Sequence, residues 1–518
     1  MSRKSFIAAT ALTAVLLGAT PSMADNMITV STGQIFRTLD PAKMSDQNDY
    51  AAVVNLYDAL LTVVEGGALA PELAESWEVS DDAKEVVFKI RDDAVFTDGS
   101  PVEASDVVYS IERLQRINQG PANLFKGVLD EGAVTAVDPK TVKFTLSKTF
   151  SPFLATVPSI FILNADIVKE NAGDDDGQTW LSTNVAGSGA YLVKDYDRGT
   201  GLTIVRNKDY FAGFNDKPID EVRWIVVNDE ATVRSLAASG ELTVSGAFQA
   251  PDTYKALEDM GRFYIDKFST ATVFLLKLNT KIAPTDDIHI RKAIALATDY
   301  DTIREVIYPG GLLSTPLPSA FADFHADDIP APAFDMEAAK AEIEKSKYAG
   351  QEIPITLGYV AGTKFEEEIS LLMQSNLEQL GFKVTQQADP WNRITEIATK
   401  EETTPAVNQI FFGPVYPSPD SIFFSQYHSD SAGTWASMEW LLDPEVDAMI
   451  NEARGTADVD KQAEIYRSLQ HKLVDMQPDV FLLTLDAQLA IDKCLTGYKY
   501  VPMQSVPYDF TRWSWNCE

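Results

Sequence analysis

Leu69-Ala70-Pro71-Glu72-Leu73-Ala74-Glu75-Ser76-Trp77, Lys84-Glu85-Val86-Val87-Phe88-Lys89-Ile90-Arg91 and Phe96-Thr97-Asp98-Gly99-Ser100-Pro101-Val102 follow one another early in the chain, and the fold is read from them. Lys84 to Arg91 is rich in β-branched and aromatic residues, which predicts a strand. Leu73 and Trp77 supply core side chains, and Gly99 after Asp98 supplies a tight turn. From Ser105 to Ile117 the residues Val107, Val108, Ile111 and Leu114 share one stripe, which predicts an amphipathic helix. A second strand follows at Lys140 to Lys148, where Val142, Phe144 and Leu146 alternate with polar residues. Strands and helices are therefore mixed, an α/β pattern.

Moving outward, the same mixture continues. Glu366 to Leu380 has Ile369, Leu372, Met373 and Leu377 at helical spacing, stopped by Gly381. Phe382 to Thr385 and Glu352 to Val360 read as strands. Asp335 caps a helix running to about Lys347, and Ile290 to Ala297 forms another. From Pro444 to Met476 apolar residues recur at helical spacing with interruptions. Asp323 to Phe334, rich in Pro, Ala and Asp, reads as a surface loop.

The ends and the composition bound the function. Arg3 and Lys4, an uncharged stretch from Ser5 to Ala19 and Ser22-Met23-Ala24 predict a cleavable signal peptide over residues 1–24, with the mature chain starting at Asp25. No Cys lies near the cleavage point, so a free periplasmic protein is expected and not a lipoprotein. The chain has 43 basic against 76 acidic residues, which opposes nucleic-acid binding and favours solubility through self-repulsion. Its two cysteines, Cys494 and Cys517, could pair in an oxidising compartment, contributing about 3 kcal/mol by loop closure. The mature length of roughly 490 residues suggests two or three domains.

Several ordered motifs are more specific. Thr38-Leu39-Asp40-Pro41-Ala42 and Asn55-Leu56-Tyr57-Asp58-Ala59-Leu60 precede the opening stretch. Gly187-Ser188-Gly189-Ala190-Tyr191, Arg206-Asn207-Lys208-Asp209-Tyr210-Phe211 and Ile290-Arg291-Lys292-Ala293-Ile294-Ala295-Leu296-Ala297 follow it. This order resembles the extracellular solute-binding proteins, family 5, that serve peptide and nickel ABC importers. The resemblance implies a bilobal periplasmic-binding-protein fold: two α/β lobes, a two-strand hinge and an inserted α+β domain. Lobe I would be discontinuous, comprising residues 25–66, 182–274 and 481–518. The inserted domain would cover residues 67–181 and lobe II residues 275–480, with hinge crossings near Phe274-Leu275 and Val480-Phe481. The implied function is solute capture by hinge closure and delivery to membrane permease subunits. A monomer without a cofactor is expected.

The resemblance also locates candidate ligand residues. In peptide-binding relatives an aromatic residue, followed three positions later by Asp, lines the cleft, and the Asp neutralises the ligand's α-ammonium. Here Phe412 stands at the aromatic position and Val415 at the Asp position. A buried ammonium without a counter-charge is costly, so this departure argues against the usual peptide mode and leaves an oligosaccharide or opine open. Tyr416 and Trp435 belong to a nearby aromatic cluster that could stack on a ligand or form lobe core. Trp391 and Arg393 are expected in a loop after the Phe382 strand, where loops of open α/β lobes face the crevice. Asn48 and Tyr50 are further candidates.

Other classes find little support. There is no Gly-x-Ser-x-Gly elbow and no His-Glu-x-x-His helix. The four histidines share no ligand spacing, which argues against free nickel. A hydrolase would need a site assembled only in three dimensions; a periplasmic chaperone would use an open cleft with aromatic walls to hold unfolded segments.

Overall fold

The computed structural model describes residues 26–33, 36–44, 47–64, 67–247, 249–499, 501 and 508–517. The expected signal peptide, residues 1–24, lies outside them. Among the described residues no helix is long and apolar enough to cross a membrane.

Three sheets of four or more strands divide the apolar residues. In the first, Met27–Thr32 pairs in parallel with Glu221–Val226. Gly201–Arg206 and Tyr191–Asp197 extend it in antiparallel fashion. Alternation along these strands places Ile28, Val30, Leu202, Ile204, Val222 and Trp224 in one core. Gly187 and Gly189 precede the Tyr191 strand. A Cβ on either would lie 2.2 Å from the Leu56 carbonyl group, so close backbone approach demands glycine there.

The second sheet has the order Ala74–Val79, Glu85–Ile90, Thr141–Thr145, Val134–Asp138. Helix Ala104–Ile117 covers it. Phe88, Ile90, Val142 and Phe144 pack against Val107, Ile111 and Leu114. Leu73 is buried and Trp77 packs partly against the same core, Trp77 from a strand. Arg113 of this helix donates to both carboxylate oxygens of Asp40 at 2.8 and 2.7 Å, with both side chains excluded from solvent. This ion pair ties the second sheet's unit to the loop after the first strand.

The third sheet has six strands, in the order Leu312–Leu313, Asp479–Asp492, Phe263–Leu278, Val407–Phe412, Ile353–Val360, Phe382–Asp389. The last three run parallel to one another. Helix Lys364–Gln379 joins two of them, and Gly381 stops it with a φ of 91°. The segment expected as a loop at Trp391–Arg393 instead opens helix Trp391–Ile397, with Pro390 just ahead of it. Proline is tolerated at a helix start because its missing N–H has no intrahelical partner there.

Phe263–Leu278 and Asp479–Asp492 are long antiparallel strands whose two ends lie in different cores. Residues Phe263 to Ser269 pair with Asp486 to Asp492, and Val273 to Lys277 pair with Asp479 to Thr484. The ladder slips between Ser269 and Val273. At one end Leu489 and Ile491 belong to the first sheet's core, and Val244 bridges Ile491 to Val30. At the other end Phe274, Leu276, Val480 and Leu482 are buried in one core, and Leu275 and Phe481 in another. Near the C-terminus Cys494 and Cys517 form a disulfide, their Cα atoms 4.9 Å apart.

Replacing Arg113 by Ala strands the buried Asp40 carboxylate. We expect a loss of about 3–5 kcal/mol in urea unfolding; a loss under about 1 kcal/mol, the scale of a surface pair, would contradict the role given to this pair.

Candidate functional site

The parallel strands of the first and third sheets end at a single cavity of about 1060 Å³. Thr32 and Val226 bring the first sheet's parallel strands to it. Val360, Pro390 and Phe412 bring those of the third. Crevices beyond the carboxyl ends of open α/β strands are where ligands bind, because loops there are free to vary over a fixed frame. Thr270, Thr272 and Leu485, from the middle of the two long strands, also line it. The cavity volume is near the upper end of the roughly 300–1,000 Å³ usual for small-molecule sites.

Six residues singled out from sequence line this cavity: Asn48, Tyr50, Trp391, Phe412, Val415 and Trp435. Trp391 and Trp435 meet edge to face at 5.1 Å, and Phe412 lies 5.9 Å from Trp435, so the three rings form one wall. Val415 is half-buried; its backbone N–H donates to Ser421 Oγ at 2.8 Å. It offers the cavity no charge. Tyr50 donates its hydroxyl to the Pro158 carbonyl at 3.0 Å and presents its ring.

Two residues are placed elsewhere. The Tyr416 ring is buried in the second sheet's core, and its hydroxyl donates to Asp420 Oδ2 at 2.8 Å. Arg454 in turn holds Asp420 at 3.2 Å. Arg393 is exposed and pairs with Glu396 at 2.8 Å outside the cavity lining. Helix formation explains this: positions two apart on a helix diverge by about 200°, so Trp391 and Arg393 cannot face the same way.

The lining also contains polar side chains that sequence reasoning did not single out. Glu366 is 1% exposed and accepts the Val360 N–H on Oε2 at 2.7 Å. Burial pushes its carboxyl up to about 8, opposed only in part by that hydrogen bond. Gln409 is also buried and donates Nε2 to the Glu366 carbonyl at 2.8 Å. Across the cavity Trp224 Nε1 and Gln249 Oε1 have no hydrogen-bond partner among the described residues. A polar pair, Asn408 and Gln409, in an otherwise apolar strand was the available signal for Gln409. Glu366 was hidden in a run of three glutamates that reads as a solvated helix start.

The sign of the Glu366 effect is set by its raised pKa. Its ordinary value is 4.5 and its folded value is about 8. The stability it contributes is therefore present below the unfolded value and lost as pH rises through the folded one. For the ligand-free protein, Glu366→Gln removes this loss. We expect E366Q to gain on the wild type in melting temperature between pH 5 and pH 8.5, by on the order of a few kcal/mol in free energy. A difference that does not vary with pH would contradict a buried, titrating carboxyl.

Known proteins share this architecture. The chain is 30% identical over 492 residues to the probable D,D-dipeptide-binding periplasmic protein DdpA of Escherichia coli K12, covering 92% of each. Its structure superposes with a TM-score of 0.86 on the periplasmic binding protein DppA of Helicobacter pylori in complex with the peptide STSA, at 19% identity, covering 95% of this chain and 98% of that one. It superposes with a TM-score of 0.83 on AgaA of A. tumefaciens R10 in complex with agropinic acid, at 22% identity, covering 95% and 99%. These likenesses give the bilobal periplasmic-binding-protein fold. The profile of the bacterial extracellular solute-binding proteins, family 5, matches residues 68–434. With its fold, its crevice and this match in agreement, the chain belongs to the family 5 bacterial extracellular solute-binding proteins.

Proposed function

We propose that this chain is the periplasmic capture subunit of an ABC importer, that it closes around a short peptide-like solute, and that it carries out no reaction on it. The observation that carries this reading is the cavity itself, walled on one side by the first sheet and on the other by the third. A solute that touches both walls binds the closed state more tightly than the open one, and so shifts the population towards closure. The likeness to a D,D-dipeptide-binding protein supports a short ligand. The aromatic wall of Trp391, Phe412 and Trp435 gives it apolar contact.

In this reading lobe I comprises residues 25–66, 182–269 and 486–518, the inserted domain residues 67–181, and lobe II residues 273–484. The hinge lies at Thr270–Thr272 and Leu485, where the ladder is already irregular. The crossings expected from sequence, near Phe274-Leu275 and Val480-Phe481, lie a few residues further along the same two strands. The loaded, monomeric protein then docks on its permease in the inner membrane. An opine-like ligand is a second reading, favoured by the apolar Val415.

Thermal-shift screening of the mature protein against dipeptides of both hands, opines, sugars and metal chelates tests this. A specific solute at about 100 times its Kd stabilises by roughly 2.7 kcal/mol. We expect one chemical class to stabilise selectively and to be recovered unchanged. We also expect Trp435→Ala and Trp391→Ala each to weaken it about tenfold or more, as lost aromatic contact does. Turnover of the hit, or unchanged affinity in both variants, would sink the reading.

A further inference from the structure

We propose that Glu366 and Gln409 form a subsite for a cationic group of the solute, the ammonium of an amino-acid-like or peptide-like compound, in place of the carboxylate that Val415 lacks. This rests on the cavity being the solute site.

Both side chains line the cavity, and they are 1% and 4% exposed. The Gln409 amide has its orientation fixed, since Nε2 donates to the Glu366 carbonyl. Its Oε1 is therefore a buried acceptor, and it has no hydrogen-bond partner among the described residues. Glu366 takes one backbone N–H from Val360, and no charged neighbour among the described residues acts on its carboxyl. The Gln409 side chain is bonded to the Glu366 main chain, and both residues line the same cavity.

The charged groups elsewhere around the cavity do not neutralise this patch. Arg37 is held by Asp49 at 3.0 Å, and Arg198 donates to the Ser182 carbonyl. Asp229 caps its helix through Thr232 N, and Glu230 lies 3.8 Å from Arg234. Asp486, on the long strand, adds a further negative group. The shift of the Glu366 carboxyl comes from burial, with no neighbouring charge contributing. Two buried acceptors without a charged partner call for a donor that is positive and has several N–H groups. An ammonium has three donors and no acceptor; beside it the ionised form of Glu366 is favoured, so its binding draws off the proton that burial retains, which a neutral hydroxyl does not do.

The test compares D-alanyl-D-alanine and L-alanyl-L-alanine with their N-acetyl forms, by calorimetry at pH 7.5. In the wild type the free amine should bind about tenfold or more tighter than its N-acetyl partner, as expected for a buried charge-assisted contact. E366Q keeps an acceptor for Val360 N–H. It should abolish that preference while leaving the N-acetyl affinity within about threefold, within the scatter of neutral contacts. Gln409→Met should lower the preference in part, and a wild type that binds free and blocked forms equally overturns the subsite whether or not either variant folds. Equal binding of free and blocked forms, or equal weakening of both by E366Q, would overturn the subsite and leave Glu366 as a loop staple. Binding only of maltose or agropinic acid would also overturn it while leaving solute capture intact. Binding of none of these compounds would overturn the subsite, while capture stands or falls on the wider screen above.

Discussion

Two antiparallel strands, Phe263–Leu278 and Asp479–Asp492, are the constraint on which the molecule depends. Each contributes one end to the core under the first sheet and the other end to the cores of the third. Burial of Leu489 and Ile491 on one side, and of Phe274, Leu276 and Leu482 on the other, fixes the ends of the pair in two separately packed bodies. Close-packed cores do not deform continuously. The ladder between them is interrupted between Ser269 and Val273, where the proposed closure has its pivot. That same stretch lines the cavity, which couples the pivot to the site.

The inserted unit adds a second constraint. Its helix is locked to the first lobe by the buried Arg113–Asp40 pair. Its core also receives Tyr416 from the loop after strand Val407–Phe412, and Arg454 donates to the Leu124 carbonyl at 3.2 Å. The unit thus touches both lobes on one side of the crevice. The cavity that remains has an aromatic wall, the buried Gln409 Oε1 on the third sheet and, on the first, an indole N–H at Trp224, neither with a hydrogen-bond partner among the described residues. Unpaired polar atoms of this kind cost stability in an empty protein and are recovered when a ligand supplies their partners.

Much of the fold was legible because its signals are local. Alternation in Val142, Phe144 and Leu146 requires a one-sided strand, and the stripe from Val107 to Leu114 requires a helix against it. The motif around Gly187 and Gly189 identified the family, while the reason for its glycines, a Leu56 carbonyl group that a Cβ would strike, is tertiary. The site was legible where strand ends announce it, at Phe412, Val415 and Trp391, and at Trp435, Asn48 and Tyr50, which also line the cavity. Arg393 was misplaced because Pro390 opened a helix and did not extend a loop, rotating the guanidinium away. Tyr416 was claimed by a neighbouring core and by Asp420. Glu366 was invisible, since its burial comes from the tertiary fold and its sequence context resembles a solvated helix end.

The central claim, that solute contact with both lobes drives closure about the two-strand pivot, is tested most directly by small-angle X-ray scattering of the mature protein with and without a stabilising solute. The account predicts a smaller radius of gyration at saturation and a solute-dependent shift between two scattering curves. An unchanged radius of gyration at saturating, calorimetrically verified occupancy would contradict it.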